Sequence, residues 1–250
     1  MDDPRKTKGI EVLLVLGVSL GYSAVYSIVD LVGKLSTPEA LSAQTTTLNP
    51  SAASGRPGLD LAFQLVRVLF GVVPAFLALH LLKRSGPPDS LGLRTGRVGL
   101  DTATGAGLAA AIGIPGLALY AVSRAIGIET TVIPEALPPA WWTIPVLLLS
   151  AVQNAFLEEV VVVGYLLIRL RELSWSVPLA VAASAVLRGS YHLYQGFGGF
   201  IGNAVMGIVL ALFFIRFKRV SVLIIAHAII DSAAFVGYGL LRGRLGVLGL

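Results

Sequence analysis

The sequence predicts an all-α bundle of membrane-spanning helices, about seven in number, and three observations predict it. Only 13% of the 250 residues are charged, against about 25% in a soluble domain. The hydrophobic share is 55% and the mean hydropathy is +0.82. The apolar residues gather into runs of about 20 or more, the length a helix needs to cross a hydrocarbon core. The length suits one integral-membrane domain over residues 1–250, with short connections. No cysteine is present, which removes disulfide and thiolate chemistry. The formal net charge of +5 is explained by basic loops on one side of a membrane, so nucleic acid is not an expected partner.

The first run, 9–33, follows Arg5, Lys6 and Lys8. It is too long for a signal-peptide core and lacks a small-residue cleavage pattern, so it reads as a retained helix. Residues 35–57 are rich in Ser, Thr, Ala and Pro and read as a flexible outer loop. The second run is 59–83, where Arg67 stands alone as a counter-ion or snorkelling residue. The third is 100–125, whose Gly105, Gly107, Gly113 and Gly116 suit close helix packing. Residues 126–139 carry Glu129, Glu135 and several prolines. The fourth run, 140–170, is long and begins in an interfacial segment at Trp141 and Trp142. Runs at 176–195, 198–217 and 220–241 follow, with a weakly marked boundary at Gly196-Phe197-Gly198-Gly199.

Lys and Arg set the orientation. Arg5, Lys6 and Lys8; Lys83, Arg84, Arg94 and Arg97; Arg169 and Arg171; and Arg216, Lys218 and Arg219 all fall on one side. That side is read as cytoplasmic, with the N-terminus in it, in the plasma membrane of a bacterium. Arg242 and Arg244 fall on the opposite side in a seven-helix arrangement. A further turn back into the membrane would make eight helices, although the tail is short for a span.

Polar groups at membrane depth carry the chemistry. The fourth run holds Glu158 and Glu159, the fifth Arg188 and His192, and the seventh His227 and Asp231. An ionisable group in a bilayer costs at least about 2.5–3.5 kcal/mol and marks a functional site. Arg188 with His192, and His227 with Asp231, are spaced i, i+4 and would share helix faces. Glu158 and Glu159 lie about 100° apart, so both can face inward. Such a set suits water activation. A carboxylate acts as general base, a histidine orients the water or protonates the leaving amine, and a second histidine with an Asp neighbour donates to an oxyanion. Asn154 and Asn203 are supporting candidates; Tyr191, Tyr194 and Gln195 could also line the site. No His-Glu-x-x-His, Gly-Ala-Ser-Gly or Gly-x-Gly-Asp occurs. Gly17-Val18-Ser19-Leu20-Gly21 matches Gly-x-Ser-x-Gly but lies inside the first predicted helix rather than at a strand-to-helix elbow.

Glu158-Glu159 with Gly164-Tyr165-Leu166, then His192, then His227-x-x-x-Asp231 resembles the CPBP family of CAAX amino-terminal and bacteriocin-processing proteases, also called Abi proteins. The resemblance covers about 140–235. Family motifs are Glu-Glu-x-x-x-Arg, Phe-x-x-x-His and His-x-x-x-Asn/Asp. Here the motif Arg is Val163 and the motif Phe is Arg188, which suggests that Arg188 supplies Glu159 with its cation from another helix. The resemblance implies an intramembrane endopeptidase acting on a membrane-associated peptide or protein, lipidated or not. It implies Glu158 as base, Glu159 as its support, His192 as partner, and His227 with Asp231 at the oxyanion. No cofactor is expected. Were zinc used, Glu158, His192 and His227 would be its ligands.

Depth tests this reading. Glu158 precedes Arg169 by 11 residues, about 17 Å, and His227 follows Arg219 by 8, about 12 Å. His192 follows Ser176 by 16 residues, about 24 Å, which demands a tilted fifth helix or one that begins later or deeper. Two other readings use the same residues. One is a membrane scaffold without turnover, favoured by the altered first motif. The other is a proton-coupled transporter, although the inverted repeats of transporters are not visible.

Overall fold

The fold is that of a computed structural model, described over residues 4–85, 91–93 and 96–241. Arg94, Arg242 and Arg244, which bear on orientation and on an eighth helix, lie outside the described residues. Helices α1 (Pro4–Gly17) and α2 (Leu20–Leu35) replace the first predicted span. They meet at 54°, a correction to the single helix expected over 9–33. The cause is local: Ser19 Oγ donates to Val15 O at 2.6 Å, and a hydroxyl bonded back to the preceding turn bends a helix. The Gly-x-Ser-x-Gly sequence therefore sits at a bend, with its serine buried and bonded to backbone.

Helices α3 (Pro57–Gly71) and α4 (Val73–Ser85) share one span, interrupted near Pro74, which lacks the N–H the ladder needs. Arg67 is on the exposed face of α3, the snorkelling position rather than the counter-ion one. Helix α5 (Val98–Ala125) meets the last helix through Gly105, where a Cβ would come within 2.7 Å of Ile225 Cγ2. Gly107 and Gly116 would meet nothing within 4 Å, so close packing rests on Gly105 and not on the whole glycine set.

The axis of the bundle is the fourth run. Helix α6 (Thr143–Glu158), a π-helical turn (Glu159–Tyr165) and helix α7 (Leu166–Glu172) are continuous. In this span 67% of the most apolar window is buried, against 11% to 39% in the other single spans. Around it stand α8 (Val177–Ser190), α9 (Phe197–Phe217) and α10 (Val220–Leu241). Helix α8 pairs with α9, and α10 lies against α5 and α6. Ser176 caps α8 by accepting from Leu179 N. Fourteen residues make about 21 Å, less than the roughly 30 Å of hydrocarbon. The fifth predicted run is thus a short helix rather than a span to residue 195. Among the described residues, five helices are long and apolar enough to cross a membrane, and six if the bent pair counts as one.

The segment expected as a flexible outer loop is built. Strand β1 (Thr45–Thr47) pairs in parallel with β2 (Thr131–Ile133). Leu41, Thr46, Asn49 and Ala53 are buried, and Asn49 Nδ2 donates to Pro134 O at 2.9 Å. A run of threonines favours extended backbone, and the ladder joins both loops at one end of the bundle. At the opposite end, buried Arg169 binds Glu11 at 2.8 Å and Glu172 at 2.9 Å, tying α1 to α7.

Candidate active site

Glu158 and Glu159 fall where α6 widens into the π turn, a feature frequent at functional sites. The wider register frees backbone groups, and Ser184 Oγ of α8 donates to Val162 O at 2.8 Å. Gly164 allows Leu91 to approach, because a Cβ there would lie 2.6 Å from Leu91 Cδ2. Both carboxylates face inward, as their angular spacing predicts. Glu159 is fully buried and Glu158 is 8% exposed.

The two acids have different partners. Glu159 Oε1 accepts from Arg188 Nη2 and lies 2.8 Å from His227 Nδ1. Glu158 Oε2 accepts from the Tyr191 hydroxyl at 2.8 Å. The same oxygen is 3.6 Å from Arg188 Nη2 and 4.0 Å from His192 Nε2. Arg188 is wholly buried and stands between the two carboxylates. His227 Nε2 is 3.5 Å from Asp231 Oδ1, one turn along α10.

His192 is not one turn beyond Arg188 on a shared face, a correction to the sequence reading. Helix α8 ends at Ser190, and His192 begins a 3₁₀ turn over Leu193–Gln195. The depth conflict disappears with the helix end. A chain that leaves α8 early turns back towards Glu158 instead of climbing further. Gln195 Nε2 meets His192 Nδ1 at 3.2 Å, which leaves Nε2 facing Glu158.

This turn is clamped from distant parts of the chain. Tyr194 N donates to Ser27 Oγ at 2.6 Å, and Tyr194 O accepts from Lys34 Nζ at 2.6 Å and Thr46 Oγ1 at 3.1 Å. Gln195 O accepts from Thr130 N at 2.8 Å and Thr130 Oγ1 at 2.9 Å. Gly196 has φ 121°, and a Cβ there would lie 2.6 Å from Ile128 O. Glu129 is buried against Gly198 and Ser123 beneath the turn. Burial pushes its carboxyl up to about 7, although Arg124 and the Gly199 backbone oppose the rise.

The supporting candidates divide. Asn154 is half-buried one turn before Glu158. Asn203 donates to Gly199 O of its own helix at 3.0 Å. Among the described residues no three His, Cys, Asp or Glu side chains are grouped to hold a metal ion. His227 turns to Glu159, and His192 to Glu158, so the set named for zinc is split. The sequence had marked Tyr191 only as a residue that could line the site. Ser27, Lys34, Thr46 and Thr130 were missed, since no local pattern links them to His192.

A helical membrane bundle with paired glutamates and two histidines at its axis defines a class, the membrane-embedded hydrolase candidates that lack a Ser or Cys nucleophile. Residues 140–233 match the model of the Rce1-like family, described as type II CAAX prenyl endopeptidase Rce1-like. The motifs point to the same family, and the matched segment contains Glu158, Glu159, Arg188, His192, His227 and Asp231. That family is one of proteases, and the match covers less than half of the chain; the apolar spans make the chain an integral membrane protein. No curated protein and no solved structure matches the chain.

Proposed function

We propose that the protein is an intramembrane endopeptidase in which Glu158 activates water against a peptide bond of a membrane-associated substrate. The observation that carries this reading is the 4.0 Å between Glu158 Oε2 and His192 Nε2. That gap is too long for a hydrogen bond and suits one water held by both groups. Glu158 takes a proton from the water while its oxygen bonds to the carbonyl carbon. The carbonyl electron pair moves to oxygen, which accepts from the Nε2–H of a His227 protonated on both ring nitrogens, the form that Glu159 at Nδ1 and Asp231 at Nε2 favour. On collapse the C–N bond breaks, and the proton returns to the leaving amine through Glu158 or His192. Tyr191 and Arg188 hold Glu158 in place; Glu159 fixes Arg188 and His227. No step uses a metal or cofactor.

The substrate class is a peptide or protein segment reaching the site from the membrane or the cytoplasmic side, with a lipidated chain among the candidates. The N-terminus is assigned to the cytoplasm of a bacterial cell by the basic loops. Loss of the motif arginine favours an inert scaffold, but Arg188 supplies the missing cation to Glu159, which supports retained activity.

The test is a termini-resolved mass-spectrometric comparison of membranes carrying wild type and Glu158→Gln at matched expression. New protein termini that require Glu158 are expected. Identical termini from a folded Glu158→Gln protein would overturn the proteolytic reading.

A further inference from the structure

At the end of the bundle where the basic residues collect, a cleft of about 340 Å³ opens between α7, α8 and the α9–α10 turn. Its walls are Leu167, Ile168, Ala180 and Ile215, and Arg171 and Lys218 stand at its edge. Glu172 also lines it but is engaged by Lys8 and Arg169, each at 2.9 Å. Neither Arg171 nor Lys218 has a carboxylate partner among the described residues. Arg171 donates to Trp175 O, and the Lys218 ammonium lies 4.9 Å from the centre of the Phe214 ring. Burial, and then the neighbouring Arg171, pushes the Lys218 ammonium down.

Two further features distinguish this cleft from an ordinary seam between helices. Lys218 closes α9 in the left-handed conformation, with φ 53°, where glycine or asparagine is the less costly choice. A lysine at this turn brings a charge to the cleft that the backbone geometry alone does not call for. The cleft also lies at the ends of the spans, the depth of lipid headgroups, and Trp175 is partly exposed there, as aromatic residues are at such interfaces. Two like charges beside an apolar trough complement a phosphate that carries its own acyl chain.

We infer that this cleft binds an anionic phospholipid, with Arg171 and Lys218 holding the phosphate and the part-exposed Ile168 and Ile215 receiving the first methylenes of its chains above a floor of buried Leu167 and Ala180. A volume of this size falls at the small end of ligand sites, which run from about 300 to 1,000 Å³. It fits a headgroup and chain origin, with the remaining acyl length in bulk lipid. Basic pockets between helices at a membrane face recognise such headgroups. Occupancy would tie α7, which continues from the π turn, to α8, which carries Arg188.

The experiment is native mass spectrometry of the full chain in detergent, titrated separately with phosphatidylglycerol, phosphatidylcholine and soluble glycerol phosphate. Wild type is expected to retain phosphatidylglycerol in preference to phosphatidylcholine. The Arg171→Gln/Lys218→Gln variant should bind phosphatidylglycerol about 25-fold more weakly, from about fivefold per charge. Both side chains are exposed, so this variant should fold. Ile215→Trp, which fills the trough and keeps both charges, should also lose the lipid. Equal retention of phosphatidylcholine, or undiminished binding by both variants, would overturn the site. So would glycerol phosphate binding as tightly as the lipid, since a free-phosphate site needs no trough.

Discussion

Arg188 of α8 donates to Glu159 of the π turn, 29 residues earlier in the chain. Val163, one turn beyond Glu159 and equally buried, offers that carboxylate no charge. The cation that the first motif lacks on its own helix is supplied from the next one. The same guanidinium group reaches within 3.6 Å of Glu158, so one residue holds both acids.

Removing that cation leaves Glu159 buried and unpaired. Arg188→Phe is expected to destabilise the protein by about 3–5 kcal/mol, the usual consequence of breaking a buried pair from one side. Val163→Arg in the same chain should recover part of the loss by returning a cation to the first motif. Thermal unfolding in detergent measures both; a double variant no more stable than Arg188→Phe would refute the exchange.

Tyr191 holds Glu158 through one hydrogen bond of 2.8 Å. In Tyr191→Phe the carboxylate keeps Arg188 and His192 nearby but loses the one donor within hydrogen-bond distance of Oε2 among the described residues. Cleavage of a reporter substrate should slow by about tenfold, equivalent to about 1.4 kcal/mol in the barrier, while the amount of folded protein is unchanged. An unaltered rate would show that Tyr191 does not position the base.

Ser27 and Lys34 act on the His192 turn from α2, outside the segment that matches the protease family. Ser27→Ala leaves the Tyr194 N–H without its acceptor, at a cost of about 1–3 kcal/mol if it stays buried. Amide exchange at residues 191–196 should accelerate selectively, and activity should fall with it. Faster exchange throughout the protein would point to general destabilisation instead.

Glu129 makes stability depend on pH. Its carboxyl is pushed up to about 7 in the folded protein and titrates in the ordinary carboxylate range when unfolded. Between those values the folded state binds the proton that the unfolded state has lost. Its contribution to stability therefore falls as pH rises through that interval and levels off above about 7. Glu129→Gln, which cannot ionise, should flatten this dependence and be the more stable protein at pH 8. Unfolding curves of both proteins from pH 5 to pH 8 that ran parallel would contradict the assignment.

The sequence by itself determined the helical membrane class, because low charge and long apolar runs leave few other ways to satisfy a backbone in lipid. It also marked which ionisable groups lie within the apolar runs, since each is costly enough there to be visible against its apolar neighbours. Glu158, Glu159, Arg188, His192, His227 and Asp231 were legible for that reason. Helix ends and long-range partners were not. Hydrophobic periodicity continues past Ser190, yet α8 stops there and His192 enters a turn held by Ser27, Lys34, Thr46 and Thr130. The threonine-rich outer loop reads as flexible until its ladder partner at 131–133 is known. The Arg188–Glu159 pair was an expectation from the altered motifs; only the tertiary structure decided that Tyr191 meets Glu158 and that His227 meets Glu159. Such choices depend on packing between separate helices, 29 residues apart for Glu159 and Arg188 and 68 for Glu159 and His227, and local sequence pattern carries little record of it.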